Sequence, residues 1–206
     1  MQFKLRYLVS LVCVCITGIY CSAQTALSVL DKAVAKINGA ASVNCKFKIE
    51  NSGNTLDGTF KSTGRKFVLD TPVSKTWYDG KSMWTSNSKS KEITLVNPTQ
   101  SEVKEVNPFA YMDSFKAKYR VGFSKRKDNE SYLVVLNPRN TKDGIKAVEV
   151  ALNKKTLLPE RFIIRDRKDN VTTIYVTALS LKTVNPATIF QCPVSTLKDY
   201  ELVDLR

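Results

Sequence analysis

The sequence predicts a mainly β protein with about eleven short antiparallel strands, one leading helix and a helical insertion midway along the chain. Two observations favour this fold class. Apolar residues recur at helical spacing directly after residue 25, and from Val43 onward they alternate with polar residues in short segments separated by turn residues. Such a pattern is typical of a meander of antiparallel hairpins.

The leading segment has the features of one amphipathic helix. Thr25 is a suitable N-cap, and Asn38-Gly39 is a suitable end. The apolar positions between them are Ala26, Leu27, Leu30, Val34 and Ile37. We expect this apolar face to lie on another element, because an isolated helix of this length does not bury it.

The strands are predicted from the change in the spacing of apolar residues, which switches from helical spacing to alternation. Val43, Cys45, Phe47 and Ile49 alternate with polar residues, and similar segments occur in two groups. The first group comprises residues 54–62, 65–71, 74–79, 82–87 and 91–96, and the second comprises 118–126, 130–137, 144–153, 159–167 and 170–182. The tail from Asn185-Pro186 is expected to be irregular and to close an edge of the sheet.

A helical insertion separates the two groups of strands. Asn97-Pro98 breaks the sheet, and Thr99 with Glu102 has the spacing of a capping box, which predicts a short helix to about residue 105. A second helical piece is expected after Asn107-Pro108. Its apolar side carries Phe109, Ala110, Met112 and Phe115.

Residues 1–23 are predicted to be a cleaved export signal. Lys4 and Arg6 precede an uncharged run over residues 8–20, which is shorter than the roughly 20 apolar residues of a membrane-spanning helix. Cleavage is placed after Ala23. Lipoprotein processing at Cys21 is the alternative, which the bulky Tyr20 disfavours. Residues 24–206 then form one domain that works in the periplasm.

The charge favours acidic partners. The whole chain has a formal charge of +13, which falls to +11 without Lys4 and Arg6. Outside the cytoplasm we expect anionic lipid headgroups or an acidic docking protein rather than nucleic acid. The basic clusters Lys125-Arg126-Lys127 and Arg165, Arg167, Lys168 are candidates, although solvated strand ends are the favoured explanation of them.

Two cysteines, Cys45 and Cys192, remain after removal of the signal. An oxidising compartment permits a disulfide between them. Two buried free thiols are the alternative, because free cysteine often packs as a small apolar residue.

The residue types exclude most hydrolase mechanisms. The chain contains no histidine, so it lacks an imidazole base, a Ser-His-Asp triad and an HExxH zinc motif. Acid pairs such as Asp166 with Asp169 or Glu102 with Glu105 fit surface positions better than a glycosidase site. The sequence therefore predicts no catalytic residue, no metal and no cofactor.

Several local strings resemble the outer-membrane lipoprotein carrier family, LolA, and its LolA-like branch. They are Leu56-Asp57-Gly58-Thr59-Phe60, Lys66-Phe67-Val68-Leu69, Trp77-Tyr78-Asp79-Gly80-Lys81-Ser82-Met83-Trp84, Asn107-Pro108-Phe109 and Leu158-Pro159-Glu160. The resemblance implies an incomplete, half-open antiparallel β-barrel whose mouth is covered by helices. It also implies a monomeric chaperone that takes acylated lipoproteins from an inner-membrane ABC-type exporter to an outer-membrane acceptor.

The resemblance gives each candidate residue a role. Phe47, Phe60, Phe67, Trp77 and Trp84 are expected to line the concave face of the sheet. Leu30, Val34 and Ile37 of the first helix, with Phe109, Met112 and Phe115 of the insertion, are expected to form a lid. Alternation does not tell which of Trp77 and Tyr78 points inward.

One position departs from the family. Members commonly carry an arginine-proline pair, tied to cargo release, before the strand that here contains Phe67, and this chain has Thr63-Gly64 instead. The role is not transferred to Arg65. Two other functions stay open beside the carrier: a lipid- or lipoprotein-sensing module with the same fold, and an enzyme acting on an apolar substrate.

Overall fold

The structure is a computed structural model that describes residues 24–107, 115–140 and 144–206. Its helices are α1 (Ala26–Asn38), α2 (Gln100–Val106) and α3 (Phe115–Lys118), with short 3-10 turns at Ala187–Phe190 and Val194–Thr196. The strands are β1 (Ser42–Asn51), β2 (Asn54–Thr63), β3 (Lys66–Asp70), β4 (Ser74–Tyr78), β5 (Met83–Asn87), β6 (Glu92–Val96), β7 (Tyr119–Phe123), β8 (Ser131–Pro138), β9 (Ile145–Asn153), β10 (Pro159–Asp166), β11 (Val171–Ser180) and β12 (Glu201–Asp204). Among the helices of this described part, none has the length and apolar character needed to cross a membrane.

All strands of the described chain belong to one sheet in the order β12-β6-β5-β4-β3-β2-β1-β11-β10-β9-β8-β7. Neighbours are antiparallel except β12, which runs parallel to β6. The eleven predicted strands are confirmed, and the tail adds β12 as a twelfth. Because β7 and β12 stand at opposite ends of this order, the sheet does not close, and the predicted incomplete barrel is confirmed.

Helix α1 forms where the sequence predicts it. The Thr25 hydroxyl accepts a hydrogen bond from the Ser28 amide at 3.1 Å, and the Gly39 amide donates to the Ala35 carbonyl at the other end. The apolar side of α1 packs on the second half of the sheet, where Leu30 and Val34 join a core with Val134 and Val150. We call the sheet face that carries α1 the concave face.

The insertion begins as predicted. The Thr99 amide donates to a Glu102 carboxylate oxygen at 2.7 Å, and the Glu102 amide donates to the Thr99 hydroxyl at 3.3 Å, so α2 starts with a capping box. Val103 of α2 is buried in a core with Ile37 and Phe60. Phe115 begins α3 and is buried, whereas Phe109 and Met112 lie outside the described residues.

The strand register separates the aromatic residues onto two faces. Phe67 pairs with Tyr78, and both join Phe60 in the concave core. Trp77 pairs with Trp84 in β5, and both pack on the opposite, convex face with Phe190 of the tail. The prediction that Trp77 and Trp84 line the concave face is therefore wrong; Tyr78 points inward. Successive side chains in a strand point to opposite faces, so one of each adjacent pair must face away.

The tail supplies the cover that the convex face needs. The Thr183 carbonyl accepts hydrogen bonds from the Ser42 hydroxyl and, at 3.2 Å, from the Asn44 amide group. The 3-10 turn at Ala187–Phe190 then contacts β3 and β4, and β12 pairs with the edge strand β6. The tail closes an edge as predicted, and it also builds a second apolar core.

Cys45 and Cys192 are free thiols on different faces of the sheet. Cys45 lies in the concave core opposite Phe60, and Cys192 packs beside the convex core of Val68, Trp77 and Phe190. The two residues do not form the disulfide that the sequence permitted; they match the alternative of two free thiols. Burial raises the pKa of each thiol from 9.0 to about 11.

We predict that Phe190→Ala destabilises the protein by about 3–5 kcal/mol, because the ring is 1% exposed and its removal leaves a cavity. Urea unfolding followed by circular dichroism measures this loss. Val184→Ala, at a tail residue that is 86% exposed, is the control and is expected to change stability by less than about 0.5 kcal/mol. Equal small effects for both variants would mean that the tail does not stabilise the sheet.

We predict that both native thiols react slowly with iodoacetamide, with a midpoint of the pH–rate profile near 11, whereas the protein unfolded in urea shows a midpoint near 9. Since the folded state holds these protons more tightly, the thiols also make folding less favourable as pH rises from about 9 to 11. Mass spectrometry of alkylated peptides resolves the two sites. A native midpoint near 9 at either cysteine would contradict its burial.

Candidate functional site

The concave face and its helices enclose an apolar cavity of about 430 Å³. It is lined by residues from three helices and eight strands: Leu30, Val34, Cys45, Phe47, Ile49, Phe60, Leu69, Val106, Phe115, Tyr119, Leu136, Ile145, Val148, Val150, Phe162, Ile164, Ile174 and Val176. Its volume falls in the range of small-molecule and lipid sites, roughly 300–1,000 Å³.

Five of the predicted site residues line this cavity, namely Leu30, Val34, Phe47, Phe60 and Phe115. Ile37 and Phe67 lie beside it in the closed part of the concave core, where the Phe67 ring is centred 5.8 Å from that of Phe60. Trp77 and Trp84 are on the other face. The structure thus brings about half of the predicted set together around one space and excludes the tryptophans from it.

The sequence interpretation missed the apolar wall that the second half of the sheet contributes to the cavity. This wall comes from β9, β10 and β11 and comprises Ile145, Val148, Val150, Phe162, Ile164, Ile174 and Val176. The sequence pattern does indicate this wall, because Val148 and Val150 alternate with polar or small residues, as do Ile174 and Val176. The sequence interpretation chose mainly aromatic side chains for the concave face and therefore did not include this wall.

The lining is chemically uniform. None of the described lining residues carries a charge, and the polar side-chain atoms among them are the Tyr119 hydroxyl and the Cys45 thiol. Within the described residues there is also no group of three acidic or cysteine side chains placed to hold a metal ion. Such a surface removes an alkyl chain from water and gives a charged group no counterion.

Phe47 shapes one wall because its partner across β2 is glycine. It pairs with Gly58, and a Cβ at Gly58 would clash with Phe47 Cζ and lie 2.6 Å from Phe47 Cε2. The missing side chain lets the ring lie against β2. Residue 58 therefore controls how far Phe47 reaches into the cavity.

Three helices cover the cavity, and an exposed ion pair joins two of them. α1 contributes Leu30 and Val34, α2 contributes Val106, and α3 contributes Phe115. Lys116 Nζ of α3 lies 2.8 Å from Asp31 Oδ1 of α1, with side chains 60% and 36% exposed. A pair exposed to this degree contributes at most about 1 kcal/mol, so it holds the cover weakly.

A second depression, of about 520 Å³, lies near the β1–β11 register shift. Its walls include Lys46, Asp57, Thr59, Asp70 and Thr177. Charged and hydroxyl side chains line much of this solvent-open depression, so it shelters a hydrocarbon chain less well than the apolar cavity does. The apolar cavity is therefore the candidate site.

Solved structures with a similar fold span nearly the whole chain. An uncharacterized conserved protein from Thermus thermophilus has a TM-score of 0.57 and 17% identity, covering 87% of this chain and 98% of that one. A putative outer membrane lipoprotein-sorting protein domain from Vibrio parahaemolyticus has a TM-score of 0.46 and 16% identity, covering 84% and 98%. A chain in the complex structure of Pseudomonas aeruginosa MucA/MucB has a TM-score of 0.43 and 12% identity, covering 82% of this chain and 61% of that one.

At these identities the likeness to solved structures concerns the fold alone. None of the curated proteins that were compared matches the sequence. The family comparison is more specific, since residues 17–168, well over half of the chain, match the sequence profile described as outer membrane lipoprotein carrier protein LolA. The chain therefore belongs to the LolA family of outer membrane lipoprotein carrier proteins.

Proposed function

We propose that the protein is a periplasmic carrier that shelters the acyl chains of lipoproteins while they move from the inner to the outer membrane. The observation that carries this proposal is the partly covered cavity of about 430 Å³, whose described lining residues are uncharged and to which three helices contribute. Membership of the LolA family supports it. The cavity binds the hydrocarbon part of the cargo, and the polypeptide part stays in solvent.

The energetics of release favour a movable cover. Burying a methylene group contributes about 0.8 kcal/mol, so full burial of one chain of ~16 carbons exceeds 10 kcal/mol and makes release slow. A helix that competes for the same space reduces this net free energy. The weak Lys116–Asp31 pair and the seven-residue length of α2 fit a cover that opens at low cost.

The release step in this proposal does not use Arg65. This residue is exposed in the β2–β3 turn beside Gly64, whose φ of 56° is left-handed, and it is not among the residues that line the cavity. In this proposal, displacement of the helical cover releases the cargo instead. Lipoproteins arrive from an inner-membrane ABC-type exporter and leave to an outer-membrane acceptor, and the carrier itself is cut after Ala23 and remains unlipidated.

Adjacent isoleucines of β10 provide a matched test of the proposal. Ile164 lines the cavity and Ile163 points to the other face, and both are half-buried. We expect Ile164→Asn to weaken binding of a dye-labelled peptide with an S-dipalmitoylglyceryl cysteine about tenfold or more, because an unpaired amide would face the chain. Ile163→Asn should bind like the wild type. Fluorescence anisotropy of the mature protein measures both.

Two results would contradict the carrier. Equal affinity for the acylated peptide and its unacylated form would mean that the cavity does not hold the chains. Recovery of the peptide with its ester bonds cleaved, detected by mass spectrometry, would indicate an enzyme. Intact cargo and loss of affinity confined to the cavity-side variant support a non-catalytic carrier.

Gly58→Ala gives a second prediction, about the size of the site. The new methyl group forces the Phe47 ring away from β2 and into the cavity, so we expect about tenfold weaker binding of the same diacylated peptide and a smaller loss for a peptide with one short chain. Gly122→Ala is the control, since nothing lies within 4 Å of its added Cβ. Unchanged selectivity for chain length would show that Phe47 does not limit the space.

A further inference from the structure

Two neighbouring hairpins of the second half of the sheet end in a cationic surface. The β7–β8 turn carries Lys125, Arg126 and Lys127, and the β9–β10 turn carries Lys154 and Lys155; all five side chains are exposed. We call this surface the basic tip. Lys154 Nζ joins the two turns by donating to the carbonyl oxygens of Asp128 at 2.7 Å and Asn129 at 3.0 Å.

The acidic residues of the two turns, Asp128 and Glu130, offset two of the five positive charges. Asp128 Oδ1 accepts the amides of Glu130 and Ser131, both at 2.8 Å, so this carboxylate is turned back into its own turn. Arg126 pairs with Glu149. Within the part of the chain that the structure describes, no carboxylate lies within ion-pair distance of Lys125, Lys127 or Lys155.

An exposed aromatic residue adjoins these cations. Phe123, at the end of the edge strand β7, is 46% exposed, and its ring centre is 6.1 Å from that of Tyr132. Lys154 Nζ lies 5.7 Å from the centre of the Tyr132 ring, and the Tyr132 hydroxyl donates to Gln24 at 2.9 Å. The aromatic pair is thus held beside the cations and near the start of α1.

We propose that the basic tip docks the protein onto the surface of an anionic lipid bilayer. Lysines near such a surface are attracted by its negative potential, and an aromatic ring placed among them enters the headgroup region. An acidic protein would satisfy the cations, but it gives no comparable reason for a large exposed aromatic ring beside them. The surface is separate from the cavity, so this proposal stands or falls independently of the carrier role.

Cosedimentation of the mature protein with vesicles tests the proposal. We expect binding to vesicles of equal parts phosphatidylcholine and phosphatidylglycerol, weakening as salt is added, and no binding to phosphatidylcholine alone. We expect the triple variant Lys125→Gln, Lys127→Gln, Lys155→Gln to lower the partition coefficient about 100-fold. Each cation near the membrane surface contributes a factor of roughly five, and the three factors multiply. The control triple variant Lys89→Gln, Lys168→Gln, Lys198→Gln removes the same charge from exposed residues elsewhere.

A matched pair separates the aromatic contribution from the charge. Phe123 and Val73 are both 46% exposed, so Phe123→Ser and Val73→Ser remove equally accessible apolar side chains. Only Phe123→Ser should weaken vesicle binding, with the salt dependence unchanged. Absence of vesicle binding by the wild type, equal losses in both lysine variants, or equal effects of both serine variants would each overturn the proposal. Thermal unfolding checks that every variant is folded.

Discussion

The alternation of side chains between the two faces of the sheet is the constraint on which the rest of the structure depends. Apolar residues occur on both faces of β3, β4 and β5, so each face needs a cover. α1 and α2 cover the concave face, and the tail with Phe190 covers the convex one. The chain thus uses its two ends and its middle insertion to bury one sheet.

The two covers differ in completeness, and this difference creates the site. On the convex face Phe190 is fully buried among Val68 and Trp77, as expected of close packing. On the concave face the described helices leave a cavity of about 430 Å³ with an apolar wall that none of the described residues fills. Atoms that line such a space lose dispersion contacts, and in the proposed carrier an acyl chain that fills it would restore them. Binding of the proposed cargo would then use the same interaction as core packing.

The distribution of charge separates the cavity from the surface. The described lining residues of the cavity are uncharged, while exposed lysines and arginines occupy the hairpin turns. Burial also raises the pKa of both thiols to about 11, so neither adds a negative charge near neutral pH. The apolar interior is therefore suited to hydrocarbon, and electrostatic recognition is left to the turns.

The sequence by itself determined what depends on local residues: the ends of α1, the capping box of α2, the eleven strands of the meander and the apolar character of Phe47 and Phe60. Only the tertiary structure decided that Tyr78 rather than Trp77 faces inward, that the tail forms β12 and a second core, and that Ile164 and Ile174 line the cavity. Alternation determines that two adjacent residues point to opposite faces of the sheet. Which of the two faces borders the cavity depends on where segments distant in the sequence pack. Trp77 and Phe190 meet although they are far apart in the sequence, and no local pattern encodes that contact.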